Sequence, residues 1–239
     1  FGMDDKTSLG IAREEIDRLS PALAVDRRGF IKTSLGAGSL AALVMGLMLP
    51  LGVMAKNIVE EWGEVKAPAA PELKAVKLDP KDTAVLVLDI VKQLCSPRPR
   101  CVAALPRAQA LLERARQAGV PVVYSLAAGQ AIADVLPEVA PRPGEPAVSS
   151  GPDKFMNTEL EKILRDKGIK TVVVMGTAAE GAVLNTAAGA ALRGFKVVVP
   201  VDLIASVNPY SEQYTVWHLG NSPRVGPQVT LSRSDLVSF

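Results

Sequence analysis

Histidine, cysteine and aromatic residues are scarce in this sequence. Its 239 residues include one histidine, His218, and two cysteines, Cys95 and Cys101, and aromatic residues make up 4%. A structural zinc site needs four Cys or His ligands, and the chain has three such residues. A catalytic site built from several histidines is excluded because the chain has one histidine. We therefore expect no metal site and no cofactor, although Mg²⁺ or Ca²⁺ held by carboxylates alone stays open.

A strong charge of either sign is also lacking. The net charge is +2 and no long basic run occurs. Few aromatic side chains are available to stack on bases, so nucleic acid is excluded as a partner. With 48% hydrophobic residues, the chain is long enough to bury one α/β core and to carry an appendage.

Charged residues are absent from segment 33–55, which has 23 residues. At about 1.5 Å per residue, a helix of this length crosses a hydrocarbon core of about 30 Å. Residues 26–32, directly before it, read DRRGFIK and resemble a bacterial twin-arginine export signal. The matching positions are Arg27, Arg28, Phe30 and Lys32. A generic membrane helix with basic flanks is the alternative.

The basic residues before this segment predict its orientation. They place residues 1–32, which carry an amphipathic pattern at 8–19, in the cytoplasm, and the domain after the segment in the periplasm. We expect a single-pass anchor in a bacterial inner membrane. Cleavage after the sequence Val53-Met54-Ala55 is the alternative.

Small residues recur at every fourth position of this segment: Ser34, Gly38, Ala42 and Gly46. Such a seam lets another helix approach closely. It predicts membrane or periplasmic protein subunits as partners, or it reflects only the Gly/Ala-rich composition of export signals.

The remaining chain divides into a tether and a domain. Residues 56–80 contain three prolines among Ala, Lys and Glu and predict an extended tether. Residues 81–239 alternate strand and helix patterns. Strands are predicted at 84–89, 120–124, 171–174, 196–201 and 229–231, and helices at 106–118 and 157–167. Continuous apolar strands separated by helices predict a doubly wound parallel sheet of the α/β class, with ligands at the carboxyl ends of its strands.

Three blocks of the domain resemble the isochorismatase-like cysteine hydrolases. They are AVLVLDIVKQLC, LLERARQAGVPVVYS, and the stretch from Lys154 to Ser206. The resemblance covers roughly residues 80–235 and implies a Rossmann-like sheet of six parallel strands. It also implies hydrolysis of amides, or of a vinyl ether, by an Asp, Lys and Cys triad. In that triad a thiolate attacks, a carboxylate moves its proton and an ammonium supports the charges.

The resemblance places the triad aspartate at Asp89, the lysine at Ser149 and the cysteine at Ala182. A shifted alignment that gives the lysine role to Lys154 is the alternative. No shift supplies a nucleophile, because no Cys, Ser or Thr lies between Glu180 and Leu184. A catalytically inactive domain is therefore expected.

Other polar residues of the domain have weaker roles. The expected pocket residues lie around the elbow 176–183, namely Gly176, Thr177, Glu180 and Asn185. Glu180 is expected in the first turn of a helix, where a negative charge is favourable. Asp89 is either a general base or a remnant of the family's catalytic triad. Cys95 and Cys101 predict a disulfide, and a reactive thiol at Cys95 is the alternative.

Three functions follow from these observations. The favoured one is an inactive accessory subunit of a membrane complex, for which the export route hints at a respiratory system. The second is a hydrolase in which Asp89 activates water. The third is a sensor of an unidentified small molecule that binds in the vestigial pocket.

Overall fold

The computed structural model describes residues 56–239. The predicted export motif, apolar segment and small-residue seam lie outside the described residues. Within 56–239, no helix has the length and apolarity needed to cross a membrane.

The chain divides into two compact units, 1–63 and 64–239. In the described part of the first unit, a short helix α1 (Ile58–Glu61) begins after Asn57. The Asn57 side chain accepts hydrogen bonds from the N–H groups of Val59 and Glu60 at 2.9 and 3.2 Å. Glu60 in turn accepts from the Asn57 N–H at 3.1 Å. This capping box is a local sequence signal that fixes where the helix starts.

The second unit is built on a parallel sheet in the order β4-β3-β2-β5-β6-β8, with β7 paired to the end of β5. Its strands are β2 (Thr83–Leu88), β3 (Val122–Leu126), β4 (Ala147–Ser149), β5 (Thr171–Thr177), β6 (Lys196–Pro200), β7 (Ile204–Ala205) and β8 (Val229–Ser232). The predicted doubly wound parallel sheet is confirmed, with β7 as a seventh, two-residue strand.

Both faces of the sheet are covered. Side chains alternate along β2, so that Leu86 and Leu88 belong to one apolar cluster and Val85 and Val87 to the other. Helix α3 (Pro99–Gln117) packs on the Val85 face, following the short α2 (Lys92–Cys95). The opposite face holds α4 (Leu160–Asp166), α5 (Leu184–Leu192) and α6 (Pro209–Asn221). Continuous apolar strands are the sequence signature of this double coverage.

The stretch predicted as a tether is partly folded. A strand β1 (Val76–Lys77) pairs in parallel with β9 (Val237–Ser238). The Lys74 N–H donates to the Leu231 carbonyl at 3.0 Å, and the second compact unit begins at Glu64. An edge strand leaves unpaired backbone groups, and an extended segment can satisfy them without any helical or alternating pattern of its own.

Candidate active-site region

Asp89 directly follows β2 and lies at the carboxyl edge of the sheet. Its backbone is in the left-handed region with φ of 53°, which turns the chain sharply at the end of the strand. One carboxylate oxygen, Oδ1, accepts a hydrogen bond from Ser125 Oγ of β3 at 2.8 Å. The other, Oδ2, lies 2.8 Å from the Nζ of Lys154. Both carboxylate oxygens therefore have a partner within the protein.

Lys154, the alternative of the shifted alignment, is the lysine that contacts Asp89. Its side chain is 1% exposed, and its Nζ also donates to the Ser150 carbonyl at 3.2 Å. Its backbone N–H donates to Thr186 Oγ1 at 3.2 Å, which ties the turn to α5. A buried ammonium is stable only when paired and hydrogen-bonded, and Asp89 supplies that pairing.

Ser149 does not reach this position. It is the last residue of β4, where it is exposed and in register with Leu126. Lys154, rather than Ser149, contacts Asp89, because the chain turns back over the sheet edge after β4. The turn is held by Ser150 Oγ, which donates to the carbonyls of Asp153 and Met156 at 3.0 and 2.8 Å.

The elbow after β5 lies beside Asp89. The register pairs Leu88 with Gly176, so Asp89 and Thr177 follow at neighbouring strand ends. Gly176 has φ of 140°, and a Cβ built there would lie 2.0 Å from the Leu88 carbonyl oxygen. Only glycine permits this approach of the two strands. Thr177 is buried, and its hydroxyl donates to the Ala205 carbonyl at 2.9 Å.

Ala182 lies in a π-helical turn, Ala179–Val183, that leads into α5. Its methyl group is 5% exposed and belongs to the same apolar cluster as Leu88 and Phe155. This is the position to which the resemblance assigns the nucleophile, and alanine offers neither a lone pair nor a proton for catalysis.

The other expected pocket residues are engaged locally. Glu180 lies in the first turn, as predicted, and is exposed; it accepts a hydrogen bond from Ser206 Oγ at 2.9 Å. Asn185 is exposed, and its Nδ2 donates to the Gly181 carbonyl at 2.8 Å.

The two cysteines form the predicted disulfide. Cys95 at the end of α2 and Cys101 in the first turns of α3 are joined, with Cα atoms 5.3 Å apart, and both are buried. Because these are the two cysteines of the chain, the alternative of a reactive thiol at Cys95 is excluded in this structure.

Metal-binding side chains do not gather in the part of the chain that the structure describes. Residues 56–239 hold no group of three or more His, Cys, Asp or Glu side chains placed to bind an ion. His218 lies on α6, partly exposed, with its Nδ1 3.3 Å from the Tyr214 hydroxyl.

Comparison with known proteins decides the family. Residues 83–231 match the Isochorismatase domain. The chain belongs to the isochorismatase family. A secreted isochorismatase effector of Verticillium dahliae is 32% identical over 113 residues, 43% of this chain and 60% of that protein. N-carbamoylsarcosine amidase of an Arthrobacter species is 26% identical over 145 residues, 49% of this chain and 55% of the amidase. The matched region thus spans less than two thirds of either relative.

Solved structures of this isochorismatase family share the fold. N-carbamoylsarcosine amidase from Thermoplasma acidophilum superposes with a TM-score of 0.55 at 28% identity, covering 64% of this chain and 97% of that one. A cysteine hydrolase from Pseudomonas syringae gives a TM-score of 0.59 at 21% identity, covering 70% and 95%.

Proposed function

We propose that this isochorismatase-family chain is catalytically silent and serves as an accessory subunit of a membrane complex, held at the periplasmic face by segment 33–55. The observation that carries the proposal is Ala182 at the nucleophile position, next to a strand edge where Asp89 and Lys154 still form a buried ion pair. A carboxylate and an ammonium without a thiol have no group to form the covalent intermediate.

The retention of two charged groups beside an absent nucleophile has a physical reason. Removing one partner of a buried ion pair leaves an uncompensated charge and costs about 3–5 kcal/mol. Replacing a cysteine by alanine in an apolar cluster removes one sulfur atom and leaves a small cavity, a much smaller loss. A chain released from selection for catalysis would therefore lose the thiol first and keep Asp89 and Lys154 for stability.

A hydrolase that uses water is the second candidate, and the Asp89–Lys154 pair is the observation that favours it. Its relatives include N-carbamoylsarcosine amidases, so amides and ureido compounds are the substrates to test. The geometry weighs against it. Asp89 is 5% exposed, so bulk water has little access to its carboxylate, and each of its oxygens already accepts a hydrogen bond, from Ser125 or from Lys154.

The accessory role is supported by the sequence of the anchor. Its seam of small residues, from Ser34 to Gly46, suits packing against another transmembrane helix. We propose a partner subunit of a respiratory system, because twin-arginine export carries folded proteins. Sensing of a small molecule is a further alternative, which ligand-dependent thermal stabilisation would favour.

The accessory role is tested by purifying the full chain from detergent-solubilised bacterial membranes through a tag after Phe239. Partner subunits should copurify in fixed ratio with the chain. A Gly38→Leu and Ala42→Leu double variant keeps the segment apolar while filling the seam, and it should enter the membrane but lose those partners. A chain that purifies as a free monomer in both cases contradicts the proposal.

A further inference from the structure

Helix α6 presents aromatic side chains to solvent along one stripe. Tyr210, Tyr214 and Trp217 are spaced by four and three residues, so they lie on one side of the helix. Their exposed fractions are 66%, 40% and 45%, and Val207, just before the helix, is 75% exposed. Ring centroids are 6.5 Å apart from Tyr210 to Tyr214 and 6.3 Å apart from Tyr214 to Trp217. We call these four residues the aromatic face.

This face concentrates the apolar surface of the second unit. Nine large hydrophobic residues are exposed between 64 and 239, and four of them form the aromatic face. A fifth, Val65, lines a hollow of about 460 Å³ together with Tyr210, Tyr214 and Trp217. A contiguous exposed apolar patch marks an interaction surface, whereas the other four exposed residues stand in separate elements.

The orientation of α6 is fixed from its inner side. Glu212 is buried and accepts from the Ser206 N–H at 2.8 Å, and also from Arg100 Nε at 2.8 Å. Thr215 and Leu219 are fully buried against the core. The aromatic face is therefore held in place by the fold and needs no rearrangement to meet a partner.

The aromatic face borders the first residues of the second unit. Residues Val65 to Pro68 form the other wall of the hollow beside Trp217. Val65 follows Ala55, the last residue of the uncharged segment, by ten residues. Ten residues span at most about 35 Å when fully extended. The aromatic face thus borders the stretch of chain that connects the domain to segment 33–55.

The composition of the face indicates the chemistry of its partner. Tyrosine and tryptophan combine an apolar ring with a polar tip, and this combination is enriched at the level of lipid headgroups. The four residues carry no charge, and exposed Lys66 lines the same hollow, where its ammonium can reach a phosphate. Tyrosine and tryptophan are also enriched at protein interfaces, so lipid is favoured by the exposed ammonium of Lys66 beside the rings and by the chain next to the face, which leads to segment 33–55.

We propose that the aromatic face of α6 inserts into the headgroup region of the phospholipid bilayer and seats the domain on the membrane. The inference rests on the proposed anchoring by segment 33–55 and adds the surface and the lipid contact by which the domain is oriented. Trp217 is the residue of this face whose fluorescence can report the lipid contact.

The test uses the two tryptophans of the sequence, Trp62 and Trp217. Trp62 is 76% exposed, so Trp62→Phe leaves the fold intact and makes Trp217 the sole tryptophan. The full-length variant is reconstituted into phosphatidylethanolamine and phosphatidylglycerol vesicles with or without brominated phospholipid. Bromine on the acyl chain close to the headgroup should lower Trp217 emission about twofold, and bromine near the far end of the acyl chain should lower it less. Acrylamide in the aqueous phase should quench Trp217 only slightly.

The controls separate this inference from the anchoring itself. Vesicle flotation reports anchoring, and a chain that does not float overturns both proposals. A chain that floats while acrylamide, and not bromine, quenches Trp217 has its aromatic face in water and overturns the lipid contact alone. Trp217 quenched by neither agent is covered by protein, such as a second copy, and equally overturns it. Tyr210→Ser with Tyr214→Ser should reduce bromine quenching without reducing flotation.

Discussion

The Nζ of Lys154 lies 2.8 Å from Oδ2 of Asp89, with side chains that are 1% and 6% exposed. The two residues come from different parts of the sheet edge, Asp89 after β2 and Lys154 from the turn after β4. In the proposed inactive domain, their pairing keeps two charged groups in place while Ala182 occupies the position that the resemblance assigns to the nucleophile. In that domain, this ion pair stabilises the fold and takes no part in a reaction.

Removal of the ammonium should therefore be costly. Lys154→Met leaves Asp89 charged and buried, and we expect the free energy of unfolding in urea to fall by about 3–5 kcal/mol. Lys162→Met is the matched control, because Lys162 pairs with Asp166 on an exposed face of α4, and should leave stability unchanged. Adding Asp89→Asn to Lys154→Met should recover part of the loss. Equal stability of Lys154→Met and the wild type would show that the pair is not structural.

Much of this fold was predictable because its central strands are long and apolar. The run from Thr171 predicted β5, and its burial on both faces predicted parallel pairing. Strands of two or three residues, such as β4 and β7, are too short to show an alternating or continuous apolar pattern. They form by pairing with the longer strands β3 and β5. The start of α3 was misplaced for a different reason. Pro106 resembles a helix start, but Pro99 already occupies the first turn and Pro106 lies inside the helix.

The site was predictable in its positions but not in its partners. The apolar run that ends at Asp89 and the elbow at Gly176 identified the correct sheet edge. The role of Lys154 did not follow from spacing, because the turn from Ser150 is shaped by hydrogen bonds to its own carbonyls and has no regular rise per residue. The resemblance places the lysine six residues before Phe155, which gives Ser149, and the shifted alignment is the reading that gives Lys154.

Glycine at position 176 is required for the two central strands to approach. A methyl group there would collide with the Leu88 carbonyl, and the φ of 140° is unfavourable for any L side chain. We expect Gly176→Ala to destabilise the domain by at least about 3 kcal/mol, measured by thermal unfolding. Gly181→Ala is the control, because its Cβ would meet only the Ala178 methyl at 3.8 Å. Similar melting of both variants would contradict this interpretation.

The disulfide should add measurable stability. It closes a short loop, because Cys95 and Cys101 are 6 residues apart in sequence. The disulfide lowers the entropy of the unfolded chain, and for a loop of this length the expected gain in the free energy of unfolding is about 2 kcal/mol. The Cys95→Ala and Cys101→Ala double variant should unfold at lower urea concentration than the oxidised wild type. Reductant should shift the wild type toward the variant and leave the variant unchanged. A response of the variant to reductant would point to another cause.

Acid stability should depend on Glu145, which precedes β4. Burial raises the pKa of Glu145, but hydrogen bonds from Arg116 and from the Arg142 N–H outweigh it and hold the pKa below 4.5. A lowered folded-state pKa gives stability that is complete above about pH 4.5 and is lost as the pH falls below it.

Glu145→Gln is therefore expected to lower the free energy of unfolding at pH 7 by about 1–3 kcal/mol, since it removes the closer charged partner of Arg116 and leaves Arg116 with Glu113 at 3.4 Å. The decline of stability below pH 4.5 should also become shallower in this variant. Exposed Glu138 serves as the control, and Glu138→Gln should reproduce the wild-type profile. An unchanged acid profile for Glu145→Gln would remove Glu145 as the responsible group.

Catalytic silence should depend on one side chain, Ala182. Comparing hydrolysis by the wild type with hydrolysis by Ala182→Cys tests this most directly. Both proteins are assayed against amides and N-carbamoyl compounds, with Ala188→Cys as a control thiol in α5, the helix that follows the π-helical turn. The account predicts no turnover by the wild type or by Ala188→Cys. It also predicts that Ala182→Cys gains hydrolysis that disappears when Asp89→Asn is added. Turnover by the wild type that is lost in Asp89→Asn would contradict the account and establish a water-using hydrolase.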